Sequence, residues 1–441
     1  MRRFKGGVHP PECKQLTEEK PIRKADPPKI LYIPVSQHIG APGKPIVAKG
    51  DKVDRGQRLT EPAGFVSVPV HSPVSGVVKS IEPFHHPLGK KLDTIIIEND
   101  GEERFSSELT AVENWQSLSP KDIIDIAKSA GLAGMGGATF PTHVKLSPPE
   151  GKKIDTVILN GAECEPYLTA DYRLMLEFPD EIIEGMKMIM YTLGAENGFV
   201  AIEDNKPEAV KILSQKLSGS DITVVSLRTK YPQGAEKQLI KALTGREVPS
   251  GGLPFDVGAY VQNVGTAKAL FDAVALGIPL IERVVTVTGS IVNTPANLLV
   301  RLGTQAKELI SVCDGTSEPP AKLIAGGPMM GIAQYTDEFP IIKGTSGILI
   351  LGQKEAAVNE PKPCIRCAKC VDVCPMNLVP TELANFAENS DWEKAEDNHI
   401  LDCIECGSCS FVCPSERNLV QLIKYGKSEV TNIIRSRKQN G

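Results

Sequence analysis

Cys364-Ile365-Arg366-Cys367-Ala368-Lys369-Cys370-Val371-Asp372-Val373-Cys374-Pro375 is answered further along the chain by Cys403, Cys406, Cys409, Cys413 and Pro414. Each run reads C-x2-C-x2-C-x3-C-P. The short spacers let three thiolates of one loop wrap one face of an iron–sulfur cubane. The fourth cysteine, starting a new turn before a proline, points to the other cluster. This spacing assigns one [4Fe-4S] cluster to Cys364, Cys367, Cys370 and Cys413, and a second to Cys403, Cys406, Cys409 and Cys374.

The competing readings are paired zinc sites and a disulfide knot. Zinc sites pair two C-x2-C knuckles, or Cys with His, and have no need of four-cysteine runs ending in proline. Disulfides belong to secreted chains. The spacing is instead that of bacterial two-cluster ferredoxins, so electrons pass through this chain.

Outside these runs the composition is ordinary. The 441 residues allow about three domains on the usual length prior. A net charge of −5 offers no argument for nucleic acid. No apolar run approaches the roughly 18 residues of a membrane span. The opening Met1-Arg2-Arg3-Phe4-Lys5-Gly6-Gly7 lacks the apolar core of a signal peptide. The remaining cysteines, Cys13, Cys164 and Cys313, are scattered, which fits a reducing cytoplasm.

Residues 1–115 read as a β domain of short alternating runs. Gly50–Gln57 with Val70–Val78 resembles a biotinyl/lipoyl carrier sandwich, but Phe65 stands where a carrier lysine would be, so no swinging arm is expected. The pair His85-His86 reads as solvent-exposed loop histidines rather than a metal site. Residues 116–280 alternate strands (155–159, 199–203, 222–227) with helices (180–193, 207–217, 234–244, 266–276), the βαβ signature of a covered parallel sheet. Ser119-Pro120-Lys121-Asp122 opens a further helix, with Ile123, Ile126, Ala127 and Ala130 on its apolar face and Gly131 as its stop. The loop Gly134-Met135-Gly136-Gly137-Ala138-Thr139-Phe140-Pro141 follows a helix, so it is not the Rossmann fingerprint. Its glycines still permit close backbone approach to an anionic ligand. The turn Asn160-Gly161-Ala162-Glu163-Cys164-Glu165-Pro166 ends the first strand, where ligands of open α/β sheets sit. Residues 281–352 return to short strands with a helix near 304–311, suiting a β-grasp-type domain. The polar linker 353–363 leads into a helical two-cluster domain, 353–441, with a helical insert near 380–398. Its helical tail ends in Arg435-Ser436-Arg437-Lys438, read as a solvated helix end.

Several blocks resemble one family in the same order along nearly the whole chain. Gly134 to Thr142 with Lys145 resembles the glycine-rich loop of the NADH- and FMN-binding subunit of respiratory complex I. Asn160–Pro166 resembles its Asn-Gly-Asp-Glu-Ser-Glu-Pro turn. Tyr231-Pro232-Gln233-Gly234-Ala235-Glu236 and Val261-Gln262-Asn263-Val264-Gly265-Thr266 resemble its other flavin-binding segments. The opening Phe4-Lys5-Gly6-Gly7-Val8-His9-Pro10 and the twin cysteine runs look like the RnfC component of the Rnf complexes. Against the complex I pattern, Met135 replaces a usual Arg, Ala162 an Asp and Ala235 a Glu, and Gly252 falls near an expected Lys.

The resemblance implies a peripheral subunit, without a membrane segment of its own, on the cytoplasmic face of the membrane. Its partners would be the other subunits of an electron-transport complex that exchanges electrons between ferredoxin and NAD(H), coupled to Na+ or H+ translocation. It implies FMN held non-covalently, with Gly134, Gly136 and Gly137 against the flavin and Lys145 near its phosphate or polar edge. Asn160, Glu163, Tyr231, Gly234, Gln262, Asn263 and Thr266 would complete that pocket. Phe140, Glu165, Glu236 and Phe255 would contact the nicotinamide nucleotide. No catalytic acid or base is implied. A soluble flavin/iron–sulfur cobalamin reductase shares the middle blocks and the cysteine runs, but not the opening Gly-Gly-Val-His-Pro. A non-enzymatic iron–sulfur relay would lack FMN and NADH oxidation.

Overall fold

A computed structural model describes residues 4–356 and 360–440. Met1–Arg3, at the start of the stretch read as lacking a signal peptide, and 357–359 of the expected linker lie outside the described residues.

The expected parallel sheet is present. Thr156–Gly161, Asn197–Glu203, Ile222–Leu227 and Ala259–Asn263 form four parallel strands. The helix Pro120–Ser129 begins with a capping box in which Ser119 and Asp122 satisfy each other's backbone N–H groups. It buries Ile123 and Ala127, and Gly131 follows it at φ 69°. The helix Pro179–Leu193 crosses Val264–Ala275 at Gly185, where a Cβ would stand 1.9 Å from the Ala267 carbonyl oxygen. Among the elements that escaped the sequence reading are the strand Ala259–Asn263 and the helix Ala170–Glu177. Both are short, and their polar residues hide the period.

The fold class is the multidomain α/β arrangement expected. At one end, Ile30–Pro34, Lys52–Val53, Gly76–His86 and Lys90–Asn99 make a four-stranded sheet around a core of its own. A six-stranded mixed sheet is built from Glu282–Thr288, Ala296–Arg301, Lys322–Ala325, Ile332–Gln334 and Gly347–Leu351, and takes Ile22–Lys24 on its edge, parallel to 297–299. The helix Ala306–Val312 accompanies it. One continuous hydrophobic core spans this sheet and the flavin-type domain. The cysteine runs belong to a helical unit with a separate core, in which Pro380–Glu388 and Trp392–Asp397 form the expected insert and Leu419–Asn440 the tail.

The histidine pair is a correction. His85 and His86 end the long strand Gly76–His86 rather than lying in a loop. His86 is 3% exposed, and its Nε2 contacts the Ser36 carbonyl at 3.0 Å. Burial lowers its pKa, keeping the ring neutral. His85 packs edge-on against Phe84 and Tyr335. Both are packing residues: the strand runs on through polar residues that the alternation did not follow.

Candidate functional site

The two cysteine runs fold alike. Arg366 and Glu405, one at the same place in each run, adopt φ 56° and 58°, and each turns its N–H toward the preceding cysteine sulfur at 3.4 Å. Ala368 (φ 60°) and Gly407 (φ 78°) repeat the left-handed turn two residues later. Such N–H groups aimed at sulfur stabilise thiolate charge. One cavity is lined by Cys374, Cys403, Cys406 and Cys409 together. Burial, then the neighbouring thiols, pushes Cys409 up to about 12, and Cys374 is among the thiols acting on it. On the other side Cys370 faces Cys413. The fourth cysteine of each run thus stands near thiols of the opposite run. Among the described residues, no three His, Cys, Asp or Glu side chains gather closely enough to hold a single metal ion. Four thiols around a wider cavity fit a cubane and not a zinc ion. The two sites differ in exposure: Cys364 and Cys367 are exposed, whereas Cys406 and Cys409 are each 8% exposed.

The flavin-type segments converge at the ends of the strands Thr156–Gly161 and Ala259–Asn263. Asn263 caps the helix Val264–Ala275, its Oδ1 accepting from the Gly265 and Thr266 N–H groups. The Thr266 hydroxyl accepts from the Met135 N–H at 2.8 Å, tying the glycine loop to this helix. At Gly136 a Cβ would crowd the Asn263 side chain, 3.0 Å from its Cβ. At Gly137 (φ 128°) a Cβ would meet nothing within 4 Å, and at Gly134 only the Phe140 backbone at 3.6–3.7 Å. The loop is pinned beneath and open above. Asn160 donates to the Gly234 carbonyl at 2.8 Å and accepts from the Ala162 N–H at 3.2 Å, joining the acidic turn to Tyr231–Glu236. Lys145 donates to Glu236 at 3.1 Å and to the Val261 carbonyl at 2.5 Å. Three buried polar atoms in these segments, Thr142 Oγ1, Gln233 Nε2 and Gln262 Nε2, have no partner among the described residues. Open glycine backbone with unspent donors fits a group rich in acceptors, and FMN is such a group.

The carboxylates have other present partners. Glu163 (φ 45°) accepts from the Asp171 and Tyr172 N–H groups at 2.7 and 3.2 Å, capping the helix Ala170–Glu177. Glu165 accepts from the Met329 and Met330 N–H groups at 3.0 and 2.8 Å, and burial raises its pKa to about 7. Phe255 lies in the short turn Pro254–Val257, packed against the main core. Tyr231 reaches the other centre: its hydroxyl donates to the Cys406 carbonyl at 2.8 Å. Around that bond Val8, Tyr231 and Cys406 form a small apolar cluster with Cys164, Met329 and Val373.

Comparison with known proteins matches these parts one by one. Residues 2–102 match the RnfC barrel sandwich hybrid domain, 127–272 the Nuo51 FMN-binding domain, 284–333 the SLBB domain and 363–417 the 4Fe-4S dicluster domain. The RnfC-type component of the proton-translocating ferredoxin:NAD(+) oxidoreductase complex of Clostridium ljungdahlii is 51% identical over 97% of this chain and 94% of its own length. The chain belongs to the RnfC family. The counterpart from the Na(+)-translocating ferredoxin:NAD(+) oxidoreductase complex of Acetobacterium woodii is 48% identical over 99% of this chain and 98% of its own length. A longer RnfC relative, from the ion-translocating oxidoreductase complex of Pasteurella multocida, is 44% identical, and the chain spans 52% of it. Among solved structures, an NAD+-reducing [NiFe]-hydrogenase aligns at a TM-score of 0.49 and 17% identity over 63% of this chain and 54% of that one.

For an RnfC chain, the resemblance had pointed to lost charges at Met135 and Ala162. The structure supplies buried charges beside both. Arg283 reaches the Met135 carbonyl at 3.4 Å. Lys206 holds the Ala162 carbonyl at 2.7 Å. Lys14 donates to the carbonyls of Glu163, Glu165 and Leu168. Asp171 accepts from Asn263 at 2.6 Å, and burial followed by the Glu163 charge raises its pKa. Sequence reasoning missed these four residues. They sit outside every motif, and only their burial marks them.

Proposed function

We infer that this RnfC-family chain exchanges hydride between NAD(H) and FMN, and single electrons through its two [4Fe-4S] clusters, as the NAD-handling subunit of an ion-translocating membrane complex. The observation that carries this reading is the Tyr231–Cys406 hydrogen bond, which sets a flavin-type segment against a ligand loop of the buried cluster. No described helix is long and apolar enough to cross a membrane. The chain would dock peripherally on other subunits at the cytoplasmic face, with ferredoxin engaged through the complex.

FMN, when bound, supplies the conversion between two-electron hydride and single-electron chemistry. The protein positions and tunes. Gly134, Gly136 and Gly137 let the backbone approach the ring system, and Lys145 offers a cation at 24% side-chain exposure. Asn160, Gly234, Asn263 and Thr266 fix the loops around it, while Gln262 brings an unspent donor. Glu163 and Tyr231 hold the turns on either side. Phe140, Glu165, Glu236 and Phe255 are assigned to the nicotinamide nucleotide, through stacking on planar rings and acceptance from ribose hydroxyls. No side chain is assigned a proton-transfer step.

The test is anaerobic. The purified chain is loaded with iron, sulfide and FMN, then titrated with NADH under absorbance and EPR. Flavin bleaching, about eight irons and a reduced-cluster signal support the converter. About eight irons with no retained FMN and no response to NADH would leave an iron–sulfur relay, and two bound zinc ions would overturn the whole reading.

A further inference from the structure

Residues Phe4–Val8 lie across the seam between the flavin-type domain and the cluster domain. Gly7 donates its N–H to the Val373 carbonyl at 2.7 Å. Val8 and Tyr231 exchange both backbone hydrogen bonds, at 2.8 and 2.9 Å. Lys230 donates to the Phe4 carbonyl at 3.2 Å and stands 4.5 Å over the Phe4 ring. Phe4 and Val8 are 5% and 4% exposed. At Gly6 (φ 76°) a Cβ would come within 2.7–2.8 Å of backbone atoms of Val373 and Cys374. The segment is therefore gripped on one side by the loop of Cys374, a ligand of the buried cluster. On the other it is gripped by Tyr231, which holds the Cys406 carbonyl.

We propose that Phe4–Val8 is a positioning strap that fixes the buried cluster against the flavin-type domain, so that electron transfer across the seam depends on it while loading of either centre does not. The proposal rests on the function inferred above. The cluster domain has its own core, and interfaces between domains of one chain move unless they are large and apolar. The apolar contact at this seam is small, and Val8 is one of its three buried members. No strap residue is a cluster ligand or belongs to the flavin segments. Each NADH gives two electrons, one for each cluster, and leaves NAD+ and a proton, so the strap governs the rate of a balanced step and contributes no atom to it.

The experiment uses the full chain as Gly6→Ala and as Phe4→Ala, each loaded anaerobically with FMN, iron and sulfide. The expected result is unchanged FMN and iron content and unchanged NADH-driven reduction of ferricyanide, a small acceptor served at the flavin. Freeze-quench EPR then shows cluster reduction by NADH slowed severalfold, because the centres on either side of the seam are no longer held in one alignment. Limited proteolysis between the flavin-type and cluster domains should quicken in both variants, a readout that needs no cofactor turnover. Wild-type cluster reduction in both variants would overturn the proposal. So would loss of half the iron in Gly6→Ala, because the segment would then build the cluster site instead of aligning it. Failure of the underlying function shows in the unmodified chain, as flavin that NADH does not bleach; failure of the strap shows only in the variants.

Discussion

Glu165 follows the strand Thr156–Gly161 in the chain, yet both its carboxylate partners lie in the six-stranded-sheet domain, at Met329 and Met330. Burial outweighs those two N–H groups and the Lys14 charge, and lifts its pKa from 4.5 to about 7. Between those values the folded chain holds a proton that the unfolded chain has released, so stability falls as pH rises from about 4.5 to about 7. Allowing for partial exposure, the effect is on the order of 2 kcal/mol. Glu165→Gln should match the wild type in thermal unfolding near pH 4.5 and exceed it at pH 8; equal melting temperatures at both would contradict the assignment. Tyr231→Phe tests the neighbouring bond. It leaves the buried Cys406 carbonyl without its donor, a loss of about 1–3 kcal/mol, and should lower the melting temperature while keeping both clusters. Asn160, Glu163 and Asn263 could be named from the sequence because they stand in motifs beside strand ends. Lys14, Asp171, Lys206 and Arg283 could not, because a buried charge is defined by neighbours far away in the chain.

Elements were legible where a local signal fixes them. Ser119-Pro120-Lys121-Asp122 carries its cap in four residues, and the resulting helix starts where the sequence says. The strand Ile22–Lys24 has no such signal: three residues pair with 297–299 through long-range geometry alone. At the crossing of Pro179–Leu193 with Val264–Ala275, Gly185 is the point of closest approach. Gly185→Ala should force the helices apart at a cost of about 1–3 kcal/mol or more. Because Asn263 and Thr266 open the second helix, FMN retention should fall together with the melting temperature. The cysteine loops make a sharper test. Cys374 lines the cavity of the second run, while Cys413 faces Cys370. Cys374→Ala should remove the cluster held mainly by the second run, and Cys413→Ala that held mainly by the first. EPR of the two variants should show complementary remaining signals. Loss of each variant's own-run cluster would refute the crossed ligation.

At the scale of the molecule, the two cluster sites face different surroundings. Cys364 and Cys367 are exposed, and Cys406 and Cys409 are buried. On exposure to air, iron should therefore leave in two phases, the first-run cluster going before the other, as followed by iron content and EPR. A single phase would deny the asymmetry. The order of the four parts along the chain was legible because each carries its own period, glycine pattern or cysteine spacing. Their docking was not, because the bonds that join them, Gly7 to Val373, Tyr231 to Cys406 and Glu165 to Met329 among them, pair residues far apart in the chain.

Phe4–Val8 also has a consequence for how the chain is made. Synthesis proceeds from the amino end, and domains fold as they emerge. These residues are translated hundreds of residues before one of their partners, Val373, which lies inside a cysteine run. The seam can close only after the cluster domain has been made, so a nascent chain keeps its flavin-type face uncovered until the iron–sulfur module is in place.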